Sequence, residues 1–211
     1  MNYDPSISII GSLSSKPFIM DSVKSKQFGN FLKPGALFYY LKSIITLWRG
    51  VQNRSILVRL ALHLPIDRPF EVRLRDGTRF SALTIMDVWV LKETNLDRSY
   101  EKVGVPLQSG WNVVDIGAAQ GDFAVWAGRQ VNPGRLVAVE PFPQSVEFLR
   151  DNLTTNRITN VTVDEAAIAS QSGRAHLNLV TGEAAQHSTV DATLGKGQVE
   201  VRTLTLAELF S

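Results

Sequence analysis

The sequence predicts an α/β fold built on a parallel, doubly wound sheet, and three observations predict it. Between residues 112 and 163, runs typical of buried strands alternate with amphipathic helical patterns. A glycine-containing turn joins the first of these strands to its helix. The first two strands each carry an acidic residue at or near the carboxyl end, Asp115 and Glu140. In such sheets, ligands bind in the crevice outside the carboxyl ends of the strands.

Composition bounds the size and class of the protein. The chain has 211 residues, of which 44% are hydrophobic, enough for one α/β domain of roughly 100 to 150 residues and an appendage. It contains no cysteine, so disulfides, thiolate nucleophiles and cysteine metal sites are excluded. Nothing indicates an oxidising compartment, and we expect a cytoplasmic protein. The net charge is only +2, but residues 1–60 carry eight Lys and Arg against two Asp and Glu.

The chain divides into three predicted parts: a tail at residues 1–30, a cap of helices and a hairpin at 31–100, and the main domain at 101–211. The tail is rich in Ser, Lys and Asn and lacks hydrophobic periodicity, which predicts mobility. Its early apolar run follows Asp4 rather than a basic cluster and lacks a small-residue cleavage pattern, so no signal peptide is expected.

Two helices are expected in the cap, at residues 36–49 and 55–64. The first has fourteen residues and a central lysine, whereas a membrane span needs about 20 mostly apolar residues. Basic residues and Trp48 would allow both helices to lie on an anionic membrane surface. Because apolar residues point to most sides of the first helix, packing against the main domain is the favoured interpretation.

The rest of the cap is predicted to be a hairpin followed by a helix. Polar and apolar residues alternate around Asp76-Gly77 within residues 71–83, a strong hairpin signal. A helix is expected at residues 87–100, where apolar residues recur at helical spacing. Three side chains there are candidates for lining a site, although a helix cap, a solvated face and a half-buried aromatic are their commoner roles: Asp87, Glu93 and Tyr100.

The turn after the strand at residues 112–116 is suited to a ligand. Gly117 and Gly121 lack a Cβ atom, so the backbone can take unusual dihedral angles and a ligand can lie against it. Asp115 would repel a phosphate but can pair with a cationic ligand. The spacing Asp-x-Gly-x-x-x-Gly also differs from the Gly-x-Gly-x-x-Gly fingerprint of nicotinamide dinucleotide sites. A purely structural role of the glycines in a tight turn remains open.

Glu140 closes the second strand, 19 residues after Gly121. A right-handed crossover places this strand beside the first, so its carboxylate faces the same crevice and can accept hydrogen bonds from two ribose hydroxyls. A helix-capping or solvated glutamate is the structural alternative. Ribose binding by itself does not separate a methyl-donor site from a nicotinamide site.

Adenine contacts are predicted less sharply. After a helix at residues 144–156, a third strand at 161–163 ends before Asp164 and Glu165, where an adenine edge would lie in this architecture. Phe142 can stack on that adenine, but packing in the core is an equal competitor. A contact from Asp164 or Glu165 is the weaker candidate.

These motifs together resemble the FkbM family of S-adenosylmethionine-dependent methyltransferases, over about residues 71–210. The matching strings are Val114-Asp115-Ile116-Gly117-Ala118 with Gly121, Val139-Glu140-Pro141, Phe148-Leu149 with Asn152 and Asn156, Ala166-Ala167-Ile168, Ser172-Gly173 and residues 199–209. The resemblance implies a Rossmann-like class I methyltransferase fold that transfers a methyl group to a hydroxyl of a sugar or other small molecule. The residues implied to cradle the methionine part of S-adenosylmethionine are Asp115, Gly117, Ala118 and Gly121, with Glu140 on the ribose.

Two positions depart from the family pattern. The family commonly has Asn where this chain has Ala119, which puts one polar contact of the donor loop in doubt. It commonly has Asp where this chain has Ala207, which is expected to weaken the start of a helix.

Other chemistries find little support. The chain has no Gly-x-Ser-x-Gly elbow and no Gly-x-x-x-x-Gly-Lys phosphate loop, and its histidines, His63, His176 and His187, lie far apart in sequence without ligand spacing. No metal site is expected, and nucleic-acid binding would rest on the basic first 60 residues alone. The alternatives kept open are an NAD-dependent oxidoreductase and a catalytically silent nucleotide-binding module.

The sheet is expected to be truncated after its third parallel strand. Residues 175–180 and 199–204 are predicted to form an antiparallel pair instead, and a helix is predicted to start at 206–210. The strand at 112–116 would then expose an apolar edge unless a partner or another segment covers it. We expect the chain alone to bind the donor weakly and to turn over no substrate.

Overall fold

A computed structural model describes residues 7–11, 34–103, 106–179 and 197–210. Most of the predicted tail, residues 1–6 and 12–30, lies outside these ranges, as does His187. The strands are β1 (Ile7–Gly11), β2 (Phe70–Arg73), β3 (Arg79–Ala82), β4 (Asn112–Ile116), β5 (Leu136–Val139), β6 (Val161–Asp164), β7 (Ala167–Ile168), β8 (Gly173–Leu179) and β9 (Gly197–Leu204). The helices are α1 (Pro34–Gly50), α2 (Ser55–Ala61), α3 (Ile85–Leu91), α4 (Ser99–Val103), α5 (Asp122–Val131), α6 (Pro143–Thr155) and α7 (Leu206–Leu209).

The main sheet has four parallel strands in the order β1, β4, β5, β6. Helix α5 connects β4 to β5, and α6 connects β5 to β6. Strands that are parallel and separated by helices are the arrangement of a Rossmann-like fold, so the predicted fold class is confirmed. The predicted strands at 112–116 and 161–163 and the predicted helix at 144–156 lie within one residue of their expected bounds.

Alternation along the strands sends side chains into two cores, one on each face of the sheet. Val113, Leu136 and Ala138 pack on one face against α5, α6, α3 and the hairpin. Val114 and Val139 point to the other face, towards the segment from Ala166 onwards. Seven of the ten residues of α5 are buried, so this helix is enclosed on nearly every side. Full burial of each large aliphatic side chain stabilises the fold by about 1.5–3 kcal/mol.

Strand β1 comes from the segment predicted as a tail. It pairs in parallel with β4, from Ile7 opposite Asn112 to Gly11 opposite Ile116. The edge of β4 that we expected to be exposed is therefore covered, and the covering segment belongs to the chain itself. Sequence reasoning missed this strand because five apolar and small residues among serines and lysines carry too short a pattern to separate from coil.

The hairpin is confirmed, but the helix that follows it is not continuous. Strands β2 and β3 pair antiparallel around Asp76-Gly77. The predicted helix at residues 87–100 is wrong as one element, because α3 gives way to a π-helical turn at Lys92–Leu96 before α4 begins. Within that turn, Lys92 is buried and its Nζ atom donates to Ser43 Oγ at 2.7 Å and lies 2.7 Å from Asp97 Oδ2. A buried ammonium group needs such partners, and the contact with Ser43, 49 residues away, is invisible to local pattern.

A second, smaller sheet has the order β7, β9, β8. The antiparallel pairing of β8 with β9 is as predicted, and β7 adds a short parallel strand. Helix α7 begins with a capping box, in which Thr205 Oγ1 accepts a hydrogen bond from the Glu208 amide and the Glu208 carboxylate accepts one from the Thr205 amide. Thr205 and Glu208 thus cap the helix, and the weakening of its start by Ala207 stays a prediction.

Candidate ligand-binding site

The carboxyl ends of β4 and β5 meet at the turn made by residues 117–121. Three residues of this turn have left-handed backbone conformations: Gly117 at φ 78°, Ala119 at φ 46° and Gly121 at φ 82°. A left-handed conformation is easy for glycine but costs alanine about 1 kcal/mol or more. The family that the sequence resembles commonly has Asn at the position of Ala119, and Asn adopts a left-handed conformation more readily than Ala. The turn is thus held in a tight, strained shape by its surroundings.

Several backbone amides of the turn donate hydrogen bonds to residues in or directly after β5. Gly117 N and Ala118 N both donate to the carbonyl oxygen of Val139, at 2.9 and 3.0 Å. The amide of Ala119 donates to Glu140 Oε2 at 2.9 Å. Since these donors are occupied, the turn does not offer the cluster of free amides that binds a phosphate group.

Asp115 is a buried carboxylate with an unused oxygen. Its side chain lies near the end of β4 and the residue is only 3% exposed. Within the described ranges, its Oδ2 atom has no hydrogen-bond partner. Burial, and after it the negative charges of Asp122 and Glu140, raise the pKa of Asp115 well above its usual range. An unpartnered buried carboxylate is costly, so this atom marks a position where a ligand donor or cation would be stabilised.

Glu140 lies beside the turn, as its predicted role requires, but both of its oxygens already accept hydrogen bonds. Oε2 accepts from the Ala119 amide and Oε1 from the Phe142 amide, each at 2.9 Å. Burial raises the pKa of Glu140, and the two amide hydrogen bonds oppose that rise. The solvated-glutamate alternative is wrong, since the residue is buried. Each carboxylate oxygen keeps a second lone pair with which to accept a ligand hydroxyl.

Asp122 is a third acid at the site, and sequence reasoning missed it. It is the first residue of α5, and its Oδ2 atom accepts a hydrogen bond from the Thr94 hydroxyl. Burial raises the pKa of Asp122, whereas the hydrogen bond from Thr94 and those from the amides of Asp122 and Phe123 lower it. Aspartate is common in the first turn of any helix, so its position alone could not separate a site residue from an ordinary cap.

Ala118 and Gly121 both contribute to the packing of the turn. Ala118 is buried in the main core. Gly121 is the residue preceding α5, and a Cβ atom built there would lie 2.4 Å from Leu149 Cδ1 on α6. The structural interpretation of this glycine, which the sequence left open, is therefore supported by close packing of the turn against α6.

The residues predicted to contact adenine interact with other parts of the protein. Phe142 is half-buried and packs against the core of the smaller sheet, which supports the packing interpretation. Glu165 lies at the surface, with its Oε2 atom 3.6 Å from Arg150 Nη1. Asp164 forms an ion pair with Arg202. These placements give the adenine roles of Phe142, Asp164 and Glu165 no support, and those roles remain predictions.

The three candidates of the cap differ in their distance from the site. Asp87 caps the start of α3, and Glu93 accepts hydrogen bonds from two aromatic side chains. Tyr100 is closer, since its ring centre lies 4.6 Å from that of Phe123 on α5. Burial, and after it the charges of Asp122 and Asp115, raises the pKa of its hydroxyl. Asp87 therefore has the capping role named as its alternative, Glu93 is half-buried and hydrogen-bonded rather than on a solvated face, and Tyr100 flanks the acidic turn.

Comparison with known proteins gives partial structural matches. No protein-family model and no curated protein matches the chain. A precorrin-6y C5,15-methyltransferase from Geobacter metallireducens GS-15 matches 28% of this chain and 32% of its own, with 38% identity and a TM-score of 0.28. A coclaurine N-methyltransferase bound to N-methylheliamine and SAH matches 43% of this chain and 25% of its own, with 22% identity and a TM-score of 0.33. Trm5b from Pyrococcus abyssi matches 52% of this chain and 36% of its own, with 17% identity and a TM-score of 0.35.

Two of these proteins are methyltransferases by name. The matched regions span between 25% and 36% of the three chains, so the likeness is to a part of each. With TM-scores of 0.28 to 0.35, these likenesses do not show what this chain binds.

The chemistry available at the site is acidic. The charges of Asp122 and Glu140 act on Asp115, and none of the three forms an ion pair with a described Lys, Arg or His. In the described part of the chain no group of three or more His, Asp or Glu side chains is arranged to hold a metal ion. A depression of about 280 Å³ lies elsewhere, on the hairpin, between Arg73 and Arg79.

Proposed function

We propose that the chain binds S-adenosylmethionine at the turn between β4 and α5, as an FkbM-type methyltransferase that methylates a hydroxyl oxygen of a sugar or other small molecule. The buried, unpartnered Oδ2 atom of Asp115 carries the proposal. The donor half of the proposal rests on the site; the acceptor half rests on the family resemblance of the sequence. No catalytic base is assigned.

The charge of the site favours a cationic ligand. Asp122 and Glu140 both act electrostatically on Asp115, and no described cation pairs with any of these three buried or half-buried acids. Burying negative charge without a partner costs several kcal/mol, so a ligand that brings positive charge is stabilised there. S-adenosylmethionine carries two such groups, a sulfonium and an α-ammonium. It therefore fits the charge and the donor groups of this turn.

The same features disfavour an NAD-dependent oxidoreductase. A pyrophosphate needs free amides at the glycine turn and at the amino end of the following helix. Here the amides of Gly117 and Ala118 donate to Val139, and the carboxylate of Asp122 takes amides at the start of α5. That carboxylate would also repel the pyrophosphate.

Each proposed residue has a distinct role toward the donor. S-adenosylmethionine supplies, when bound, an electrophilic methyl group. Asp115 would accept a hydrogen bond from the cationic end of S-adenosylmethionine or form an ion pair with it. Gly117, which has no side chain, would leave room for the methionine part. Glu140 would accept ribose hydroxyls through the lone pairs left free by the amides of Ala119 and Phe142. Its bonds to those amides keep the turn in the shape the donor needs.

Calorimetry on one sample with S-adenosylmethionine, S-adenosylhomocysteine and NAD tests the proposal. We expect both sulfur ligands to bind and NAD not to bind. Asp115→Asn should weaken S-adenosylmethionine more than its neutral-sulfur product, because only the former has a sulfonium. Asp151→Asn, the same chemical change at an exposed position on α6, is the matched control and should change neither affinity.

The outcomes separate the alternatives. Binding of NAD alone would overturn the proposal in favour of the oxidoreductase. Methyl transfer to an offered hydroxyl acceptor would exclude the silent module, whereas S-adenosylmethionine binding without transfer would support only the donor half of the proposal. Loss of affinity in the Asp151→Asn control would mean that the effect is a general one of surface charge rather than one of Asp115.

A further inference from the structure

Helix α1 exposes one continuous apolar face. Its members recur at spacings of three and four residues, so they lie on one side of the helix over a length of about 17 Å. All are roughly half exposed or more: Leu37 (56%), Phe38 (70%), Leu41 (52%), Ile44 (59%), Ile45 (53%) and Trp48 (47%). An exposed apolar surface of this extent is unusual in a monomeric soluble domain and marks an interaction site.

The opposite side of α1 packs against the rest of the domain, as the sequence predicted. Ser43 is buried and accepts the hydrogen bond from Lys92, and Leu47 packs on the main core. The helix is therefore a cap on one side only. Because α1 packs on the domain through the side that carries Ser43 and Leu47, its apolar face stays available for contact with another molecule.

The charge around this face has one sign. Residues 34–66 contain four Lys and Arg and no Asp or Glu. Lys42 and Arg49, seven residues apart on α1, follow the border of the apolar face beside Phe38 and Ile45. Both are exposed, and neither forms an ion pair within the described ranges.

A third cation lies over the aromatic end of the face. The guanidinium of Arg54 is 5.0 Å from the centre of the Trp48 ring, and its Nε atom donates to the Trp48 carbonyl at 2.7 Å. Tryptophan beside arginine is typical of side chains that lie at the boundary between headgroups and acyl chains. Glu93, which contacts this helix through Tyr39, is already engaged by the Tyr39 hydroxyl and the Trp89 indole.

We propose that α1 lies in the surface of an anionic bilayer, with this apolar face among the acyl chains and Lys42, Arg49 and Arg54 on acidic phospholipid headgroups. No described helix is long and apolar enough to cross a membrane, so the contact is with one leaflet. A second copy of the chain is a poorer occupant of the face, because a symmetric contact brings the same unpaired cations opposite each other. The proposal does not depend on the donor-binding function.

Co-sedimentation of the full chain with vesicles tests it. One set of vesicles is phosphatidylcholine alone, and the other contains about 30 mol% phosphatidylserine, the anionic lipid that attracts basic segments. We expect at least about tenfold tighter binding to the anionic vesicles, largely lost in about 0.5 M salt, where charges are screened. Leu41→Glu with Ile45→Glu should abolish binding, and Lys42→Glu should weaken it roughly tenfold.

Matched controls use exposed residues away from α1. Leu206→Glu places the same charge on an exposed leucine of α7, and Arg135→Glu reverses an exposed arginine that has no described ion pair. Neither should change binding by more than about twofold by electrostatics at a distance. Circular dichroism melts confirm that every variant is folded.

Any one of four results would overturn the proposal. Equal binding to both kinds of vesicle, or binding to neither, removes the anionic bilayer as the occupant. Equal losses in the Lys42→Glu variant and its Arg135→Glu control show that only net charge matters. A concentration-dependent dimer in sedimentation velocity that Leu41→Glu dissociates, together with no vesicle binding, assigns the face to a second copy.

Discussion

Glu140 Oε2 accepts a hydrogen bond from the backbone amide of Ala119 at 2.9 Å. This contact ties the end of β5 to the left-handed turn after β4. The other oxygen of the same carboxylate accepts from the Phe142 amide and so holds the next loop as well. One side chain therefore shapes both loops that face the proposed donor, and its substitution should affect stability and binding together.

We expect Glu140→Ala to lower the free energy of unfolding by about 1–3 kcal/mol, because two amides lose a charged acceptor. The dissociation constant for S-adenosylhomocysteine should rise at least about tenfold, since ribose hydrogen bonds to a carboxylate are lost as well. Glu140→Gln keeps one acceptor oxygen and should recover part of the stability but little of the affinity. Urea unfolding and calorimetry measure the two effects.

The exposed Glu147 on α6 is the matched control for that pair, and Glu147→Ala should change neither quantity appreciably. An unchanged dissociation constant in Glu140→Ala would rule out the ribose role. A stability loss alone would leave Glu140 as a positioning residue for the turn.

Asp115 should make the stability of the unliganded protein fall with rising pH. Burial and the charges of Asp122 and Glu140 raise its pKa in the folded chain. The folded state thus holds this proton more tightly than the unfolded state, whose pKa is about 4. The resulting stabilisation is present below that pH and is lost as the pH rises through the folded pKa.

Asp115→Asn should therefore be more stable than the wild type at neutral pH and should lose part of the downward slope. Each kcal/mol regained raises Tm by about 2–4 °C in a chain of this size. Thermal melts between about pH 4 and pH 8 measure it. Asp122 and Glu140, whose pKa values are also raised, leave a downward slope in both proteins, so the difference between the two profiles reports Asp115. Parallel pH profiles for the two proteins would contradict the buried, uncompensated charge.

Gly121→Ala and Gly77→Ala separate backbone strain from packing. Both glycines have left-handed φ angles, 82° and 89°. A Cβ atom at Gly121 would lie 2.4 Å from Leu149 Cδ1, whereas one at Gly77 meets nothing within 4 Å. We expect a loss of about 1 kcal/mol at Gly77 from strain and about 2–4 kcal/mol at Gly121 from strain and overpacking. Guanidinium unfolding measures both, and equal losses would show that α6 moves aside without cost.

Proline substitutions test the pairing of β1 with β4. Neighbouring amides in a strand point to opposite sides, so only one of the amides of Ser8 and Ile9 faces β4. Ser8→Pro and Ile9→Pro should therefore destabilise unequally, the more harmful one by about 1–3 kcal/mol beyond the other, as a buried carbonyl loses its donor. Melting temperatures that are equal in the two variants would contradict this pairing.

Several features of this protein are determined by its sequence alone. The alternation of strand and helix from residue 112 to residue 163 and the Asp76-Gly77 hairpin depend on local periodicity and turn chemistry, which neighbouring residues determine. Asp115 and Glu140 could be singled out because the carboxyl ends of adjacent parallel strands always share one crevice. Their positions required no knowledge of distant contacts.

Only the tertiary structure decided the remaining features. Asp122 joins the acidic turn, Phe142 packs into the smaller sheet, and Gly121 is needed for the approach of α6. The π-helical turn forms around buried Lys92, and β1 completes the sheet beside β4. Each of these depends on contacts between segments distant in sequence, whose burial and charge outweigh the weak local preferences of the residues concerned.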